Sequence, residues 1–414
     1  MKLSSGYITR RFDILTVLAL TVAIIIASCT GKTGAPVPRC EITDAMDSLV
    51  ETVFPGKNAP GAIVFVIKDG EVMYKRCSGL ANLKTGEPLS ENTLINISSA
   101  SKTFAVAGIM KLAAQGLIDL EAPLSEYFPE FNEDIFGKIN LIHIMTHTTG
   151  LPDNRPRNEE QWNSYISQHP ESPFLVCQDY IRYGKDTELT RFYMTVDSLY
   201  SEPGTAFFYQ DPPFMLISQI IEKVTGETFE SWMKKNIFEA ASLESVCYVN
   251  GKMEGPGIAH GYKPKAHDTR PGVYVSANSL WEEFDFGEAP FFMSRADKGI
   301  YITPEEYVKW LDALYGGRII EQNYLDSANV RHMEASWRDV GYGFGAFVSG
   351  GIPEKPSKIF HNNGNGGFTV FESVFPDDKV AYFIFSNYSG WNRMETSKKV
   401  DKILESHSWI HKQK

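Results

Sequence analysis

Ser99 and Lys102 stand with two residues between them in "ISSASKTF" (97–104), directly ahead of an apolar helical run. A serine hydroxyl attacks a carbonyl only when a neighbouring base takes its proton, and a lysine serves only if it gives up its own at a pH well below ~10.4. Residues three apart share a helix face, so the two side chains can meet. The spacing alone is weak evidence, because "SWMK" puts Ser231 and Lys234 at the same separation. Position separates the two pairs. Ser99 opens a helix, whose positive end favours a bound anion, whereas Ser231 lies inside the amphipathic stretch "TFESWMKKNIFEAASL". His143 and His147 have the spacing of a metal pair on a helix, but "HIMTH" lacks the glutamate of HExxH and shows no further ligands, so no metal and no cofactor is expected.

The elements that must position these groups follow from hydrophobic periodicity. "CEITDAMDSLVETVF" repeats its apolar residues at helical spacing, and "GAIVFVIKDGEVMYKRCSG" reads as two strands around Asp69–Gly70. From Ser99 to about residue 340 the pattern is mostly helical. "KTFAVAGIMKLAAQGL" should end at Gly116, with Leu117 making the hydrophobic contact of a glycine cap. Short β-rich runs return in "GYGFGAFVSG", "KIFHNN", "GGFTVFESVF" and "KVAYFIFSN", before a last amphipathic helix over about 391–407. The economical architecture is α+β: an antiparallel sheet built from both chain ends, flanked by helices, with a mainly helical part inserted. The expected layout is a catalytic domain over 41–410, with 41–98 and 340–410 forming the α/β part and 99–339 the helical part.

Residues 1–28 form a different kind of segment. Lys2, Arg10 and Arg11 precede the apolar run "ILTVLALTVAIIIAS", which is short for a membrane span of ~20 residues. The run leads into "IASC", resembling a bacterial lipoprotein signal that leaves Cys29 lipidated at the mature N-terminus, followed by a Gly/Pro-rich tether to about residue 40. The protein is then expected to be exported and held to a bacterial membrane by lipid alone. Loss of Lys2, Arg10, Arg11 and Asp13 takes the net charge from −11 to −13, which argues against nucleic acid as a partner. Cys40, Cys77, Cys177 and Cys247 are scattered, with no CxxC spacing, and indicate neither a zinc site nor a disulfide scaffold.

Five blocks, in order along the chain, resemble the serine β-lactamase-related family of class C β-lactamases, DD-peptidases, D-aminopeptidases and esterases. They are "PGAIVFVIKDGEVMYKRCSGLANLKTGEPLSENTLINISSASKTF", "LIHIMTHTTGLPD", "EPGTAFFYQD", "GYGFGAFV" and "HNNGNGGFTVFESVFPDD", and the similarity runs from about residue 45 to 400. The resemblance implies a β-lactamase/transpeptidase-like fold and acyl transfer through an acyl-enzyme. It places Ser99 as nucleophile, Lys102 as its lysine partner, Tyr209 as general base or proton relay, His361 at the last-motif position, and the backbone N–H groups of Ser99 and Gly364 as oxyanion donors. His147 is expected to bridge behind the site as a structural residue.

Three departures bear on the substrate. His361 replaces the lysine of "KTG", and a neutral imidazole suits a substrate carboxylate poorly; esterases and D-aminopeptidases of the family carry "HxG". Asn363 replaces the glycine of that motif. Asp211 stands where asparagine is usual, and a carboxylate facing Lys102 can only accept hydrogen bonds and favours the ammonium. A long aromatic and charged segment between Asp153 and Pro203 is a further candidate for shaping substrate choice. The expected activity is an exported serine acyl-hydrolase acting on small esters or amides, including cell-wall-derived D-amino-acid peptides. The alternatives are a β-lactamase or penicillin-binding DD-peptidase, or a binding or sensor protein that does not turn over.

Overall fold

The "KDGE" turn expected of a hairpin joins β1 (Ala62–Lys68) to β2 (Glu71–Ser78), with Asp69 and Gly70 both at positive φ, 51° and 80°. That pairing matches the twist of the flanking strands. A computed structural model describes residues 37–54, 56–152, 188–248, 255–264, 281–283, 295–335, 337, 339–365 and 367–412. The expected signal peptide, Cys29, Cys177 and most of the segment between Asp153 and Pro203 lie outside the described residues. The chain divides between Pro38 and Arg39, and the architecture belongs to the unit Arg39–Lys414.

The remaining main strands are β3 (Ile95–Asn96), β4 (Cys247–Tyr248), β5 (Ile300–Ile302), β6 (Met333–Glu334), β7 (Val340–Tyr342), β8 (Phe347–Ser349), β9 (Lys358–Asn365), β10 (Phe368–Phe375) and β11 (Val380–Ser386). An eight-stranded antiparallel sheet runs in the order β6-β7-β8-β9-β10-β11-β1-β2, so the first strands close onto the last through β1 and β11. This is the sheet from both chain ends that the β-rich runs predict. Its central strands are buried on both faces with a period of two. Ile63, Phe65 and Ile67 of β1 join one apolar core, while Ala62, Val64 and Val66 join the other.

The second core lies under the terminal helices α1 (Thr43–Val53) and α6 (Arg393–Ser406), through Met46, Val50, Val400 and Leu404. The first core fills the space under the helical part: α2 (Ser101–Ala114), α3 (Leu141–Met145), α4 (Pro212–Thr225) and α5 (Pro304–Tyr315). Helix α2 is apolar nearly all round because it is buried nearly all round. Its Phe104 stacks on Trp310 of α5 with centroids 3.7 Å apart. A small sheet in the order β3-β5-β4 ties the chain just before Ser99 to residues 300–302.

Two local expectations change. Gly116 does adopt a left-handed φ of 70°, and the Leu117 amide reaches the Leu112 carbonyl at 3.0 Å, but the Leu117 side chain is 56% exposed. Ile118 enters the core instead. The stretch holding Ser231 and Lys234 is also not one α-helix: it is α-helical over Phe229–Met233 and then π-helical over Lys234–Phe238. Both Ser231 and Lys234 face outward.

Candidate active site

Ser99 lies in a tight 3-10 turn, Ser98–Ala100, that runs straight into α2. The residue before it, Ser98, has φ +51°, a left-handed conformation that costs a non-glycine residue about 1–3 kcal/mol. Its surroundings hold it there. The Ser98 amide donates to Asn96 Oδ1 at 2.8 Å, and Asn96 Nδ2 donates to the Lys298 carbonyl at 3.0 Å. The Ile97 amide donates to the Ile300 carbonyl, and the Ile300 amide returns to Ser101 Oγ at 3.2 Å. The nucleophile turn is thereby bolted to the segment 297–301.

One turn on, the Lys102 side chain is fully buried. Its Nζ donates to Asp211 Oδ1 at 2.9 Å and lies 4.0 Å from Asp297 Oδ2. Burial opposes the charge, but Asp211, Tyr209 and Asp297 more than offset it, so the ammonium is favoured beyond that of an ordinary lysine. Asp211 is the N-cap of α4, but its side chain makes no capping bond: Pro212 and Pro213 have no N–H, and the Phe214 amide donates to the Asp211 backbone carbonyl at 3.0 Å. The second oxygen of its carboxylate accepts from Lys298 Nζ at 2.5 Å.

Tyr209 covers Lys102, with Nζ 5.1 Å from its ring centroid, and is 36% exposed. The backbone around it is strapped to the "THTTGL" segment: Gly204 N to Thr148 O at 2.9 Å, Phe208 N to His147 O at 2.9 Å, and Gln210 Nε2 to Leu151 O at 2.9 Å. His147 is buried, at φ +57°; its Nδ1 accepts from the Gln210 amide at 3.2 Å and its ring lies 4.2 Å from that of Tyr209. His143 does something else. It completes a capping box with Asn140 at the start of α3.

The fourth wall is β9, which packs against the nucleophile turn. Strand β8 pairs only with Lys358–Phe360, while β10 pairs along β9 from Ile359 to Asn365. The edge of β9 from His361 onward is thus not covered by β8, and Gly364 lies on that stretch. His361 and Asn363 point to the helical side, whereas Asn362 turns the other way and accepts from Arg393 Nε at 2.6 Å. His361 is 2% exposed, and its Nε2 lies 3.0 Å from the Gly345 carbonyl, so that nitrogen carries a proton. Its Nδ1 is 3.6 Å from Oε2 of Glu372, its cross-strand partner, which also accepts from Tyr307 Oη. Burial, then the Glu372 carboxylate, keeps Tyr307 protonated well beyond the usual phenol range.

The structure therefore brings Ser99, Lys102, Tyr209 and Asp211 together, with Gly364 and His361 on the adjoining strand. It also adds residues that sequence reading missed. Asp297 and Lys298, in "RADKG", belong to no recognised pattern. Glu372 carried a signal, a charge in the otherwise apolar strand "FTVFESVF". Gly345, in "GYGFGAFV", sits at φ +76°, where a Cβ would come within 2.9 Å of Val106 Cγ2. It lets the loop pass between α2 and the His361 ring. Among the described residues, no group of three His, Cys, Asp or Glu side chains could hold a metal ion.

Residues 43–404 match the family described as Beta-lactamase. Penicillin-binding protein 4* of Bacillus subtilis (strain 168) is 23% identical over 344 residues, 83% of this chain and 71% of that protein. A Beta-lactamase of Pseudomonas fluorescens is 28% identical over 56% of this chain and 59% of its own length. Esterase EstB of Burkholderia gladioli is 27% identical over 30% and 33% respectively. The matches thus span little more than half of the β-lactamase and a third of the esterase. The octameric penicillin-binding protein homologue from Pyrococcus abyssi superposes with a TM-score of 0.68 at 21% identity, covering 89% of this chain and 78% of that one. With most of the chain inside one match and an S-x-x-K turn at the centre of its buried charges, the chain belongs to the Beta-lactamase family of serine hydrolases.

Proposed function

We propose that the protein is an exported serine acyl-hydrolase, held to a bacterial membrane by a lipid on Cys29, that acts through an acyl-enzyme on small esters or amides. Cell-wall-derived D-amino-acid peptides fall within that class. The observation that carries this reading is the Ser99 turn set beside a buried Lys102–Asp211 pair with Tyr209 over it. In the proposed reaction Ser99 Oγ attacks the carbonyl carbon. Tyr209 Oη takes the serine proton while passing its own to the leaving group, since Lys102 is held as an ammonium and is a poor base. The N–H groups of Ser99 and Gly364 receive the oxyanion, and water then repeats the sequence to release the acyl group. His361 acts as a positioning residue in this scheme, because its ring is engaged by Gly345 and lies against Glu372.

β-Lactams are the less favoured substrates. The position that would hold a cation for their carboxylate carries a buried histidine, and Asp211 presents no amide donor to a side-chain carbonyl. The firm grip on the Lys102 proton supports a second reading, a sensor that acylates and releases slowly. Intact mass of the full chain in detergent, after exposure to a fluorophosphonate and separately to a penicillin, tests both. An adduct with fluorophosphonate alone that is lost in Ser99→Ala is expected. A lasting penicillin adduct would favour the sensor, and no adduct with either reagent would refute an activated serine.

A further inference from the structure

Lys102 and Lys298 divide one carboxylate between them. Lys102 Nζ takes Asp211 Oδ1 at 2.9 Å, and Lys298 Nζ takes Oδ2 at 2.5 Å. Asp297 Oδ2 lies 4.0 Å from the first ammonium and 3.8 Å from the second. Two cations and two anions thus alternate in a compact group of no net formal charge. Lys298 is also fastened to the nucleophile turn through its backbone, because its carbonyl accepts from Asn96, whose other end holds the Ser98 amide. The Lys102 side chain is fully buried, while that of Lys298 is 20% exposed and marks the end of the group nearer solvent.

We infer that Lys298 is a positioning residue for the Ser99 reaction: by sharing the Asp211 carboxylate it limits how firmly Lys102 keeps its proton, and so sets the pH range in which Ser99 is activated. The inference rests on the serine-hydrolase reading above. It follows from the charges that face Lys102. Asp211 and Phe214 come from the start of α4, Tyr209 from the strap before it with Tyr342 of β7 behind, and Asp297 and Lys298 from the segment leading to β5. Across Gly345 lie His361 and Glu372 of β9 and β10. Lys298 bonds the same carboxylate as Lys102. The two ammonium groups repel, and Lys102 lowers the proton affinity of Lys298; the effect is mutual, because the interaction energy belongs to the pair. A carboxylate bound at both oxygens also cannot rotate toward either lysine.

The sign is definite. Removing the Lys298 charge takes a competing cation off Asp211 and a repelling one away from Lys102, so the Lys102–Tyr209 pair loses its proton at higher pH. Unit charges about 5 Å apart, in surroundings of effective dielectric ~20, move such a limb by roughly two pH units. The test is the pH profile of the second-order rate at which fluorophosphonate labels Ser99 in the full chain. Lys298→Met should carry the limb upward by about two units, Lys298→Arg should leave it near the wild type, and Asp211→Asn/Lys298→Met should bring it back, since one charge of each sign is gone. A Lys298→Met profile that superimposes on the wild type overturns the inference, as does a Lys298→Arg profile displaced as far as that of Lys298→Met. If the wild type does not label at all, the hydrolase reading fails by itself. The 13Cε shift of Lys102 in the Asp211→Asn background then still decides the electrostatic claim: Lys102 must titrate at lower pH with Lys298 present than with methionine there, and equal titrations overturn it.

Discussion

Replacing Asp211 with alanine strips a fully buried ammonium of its 2.9 Å partner and leaves only Asp297, at 4.0 Å. It also strands Lys298, which then competes for that same aspartate. Removing one member of a buried pair costs about 3–5 kcal/mol, because the remaining charge keeps its desolvation penalty. For a chain of this size that is a fall in Tm of about 4–6 °C. Lys102→Met in the same chain should recover most of the loss, since the orphaned charge goes and Lys298 keeps Asp297. The pH dependence has a fixed sign. Folding raises the proton affinity of wild-type Lys102, so its contribution is fully present below the unfolded value of ~10.4 and is lost as pH rises through the folded value. The gap between wild type and Asp211→Ala is therefore flat from about pH 6 to 9 and narrows above ~10.4. Urea unfolding followed by circular dichroism, on wild type, both single variants and the double, measures all of this. A single variant within about 1 kcal/mol of wild type, or a double variant less stable than Asp211→Ala, would refute the reasoning.

Two further predictions concern what holds the site in place. Phe104→Ala removes a buried ring stacked 3.7 Å from Trp310 and should destabilise the fold by about 3–5 kcal/mol in the same unfolding assay, with the rate of Ser99 labelling kept in the folded fraction. Gly345→Ala adds a Cβ 2.9 Å from Val106 Cγ2 at φ +76°, so it should cost about 1–3 kcal/mol. Because it also displaces the carbonyl that fixes His361, labelling of Ser99 should fall about tenfold even under fully folding conditions, and an unchanged rate would show that His361 does not position the site.

What was legible in the sequence is what depends on neighbours along the chain. The hairpin at Asp69–Gly70 is written in a residue pair that tolerates positive φ, and the double-faced strands β1 and β11 are written in unbroken apolar runs. The S-x-x-K turn was legible through its place ahead of a helix, and Tyr209 and Asp211 through the motif they share. Local cues failed where a contact from elsewhere won. Leu117 yields its buried place to Ile118, and the stretch holding Ser231 and Lys234 changes from α- to π-helical.

Asp211 was legible beside Lys102 through its motif, but Asp297 and Lys298 joined them only through tertiary structure. Asp211 is 109 residues from Lys102, Lys298 is 87 residues from Asp211, and no spacing rule connects them. The same holds for His361, whose surroundings depend on the β9–β10 register that sets Glu372 opposite it and on a loop that only glycine at 345 lets pass. Residue types and short spacings name the groups able to do chemistry, because backbone sterics and side-chain pKa values are local properties. Which of those groups are charged, and which way they face, depends on burial and on distant charges. Those are properties of the packed sheet and helices, and they exist only once the chain has folded.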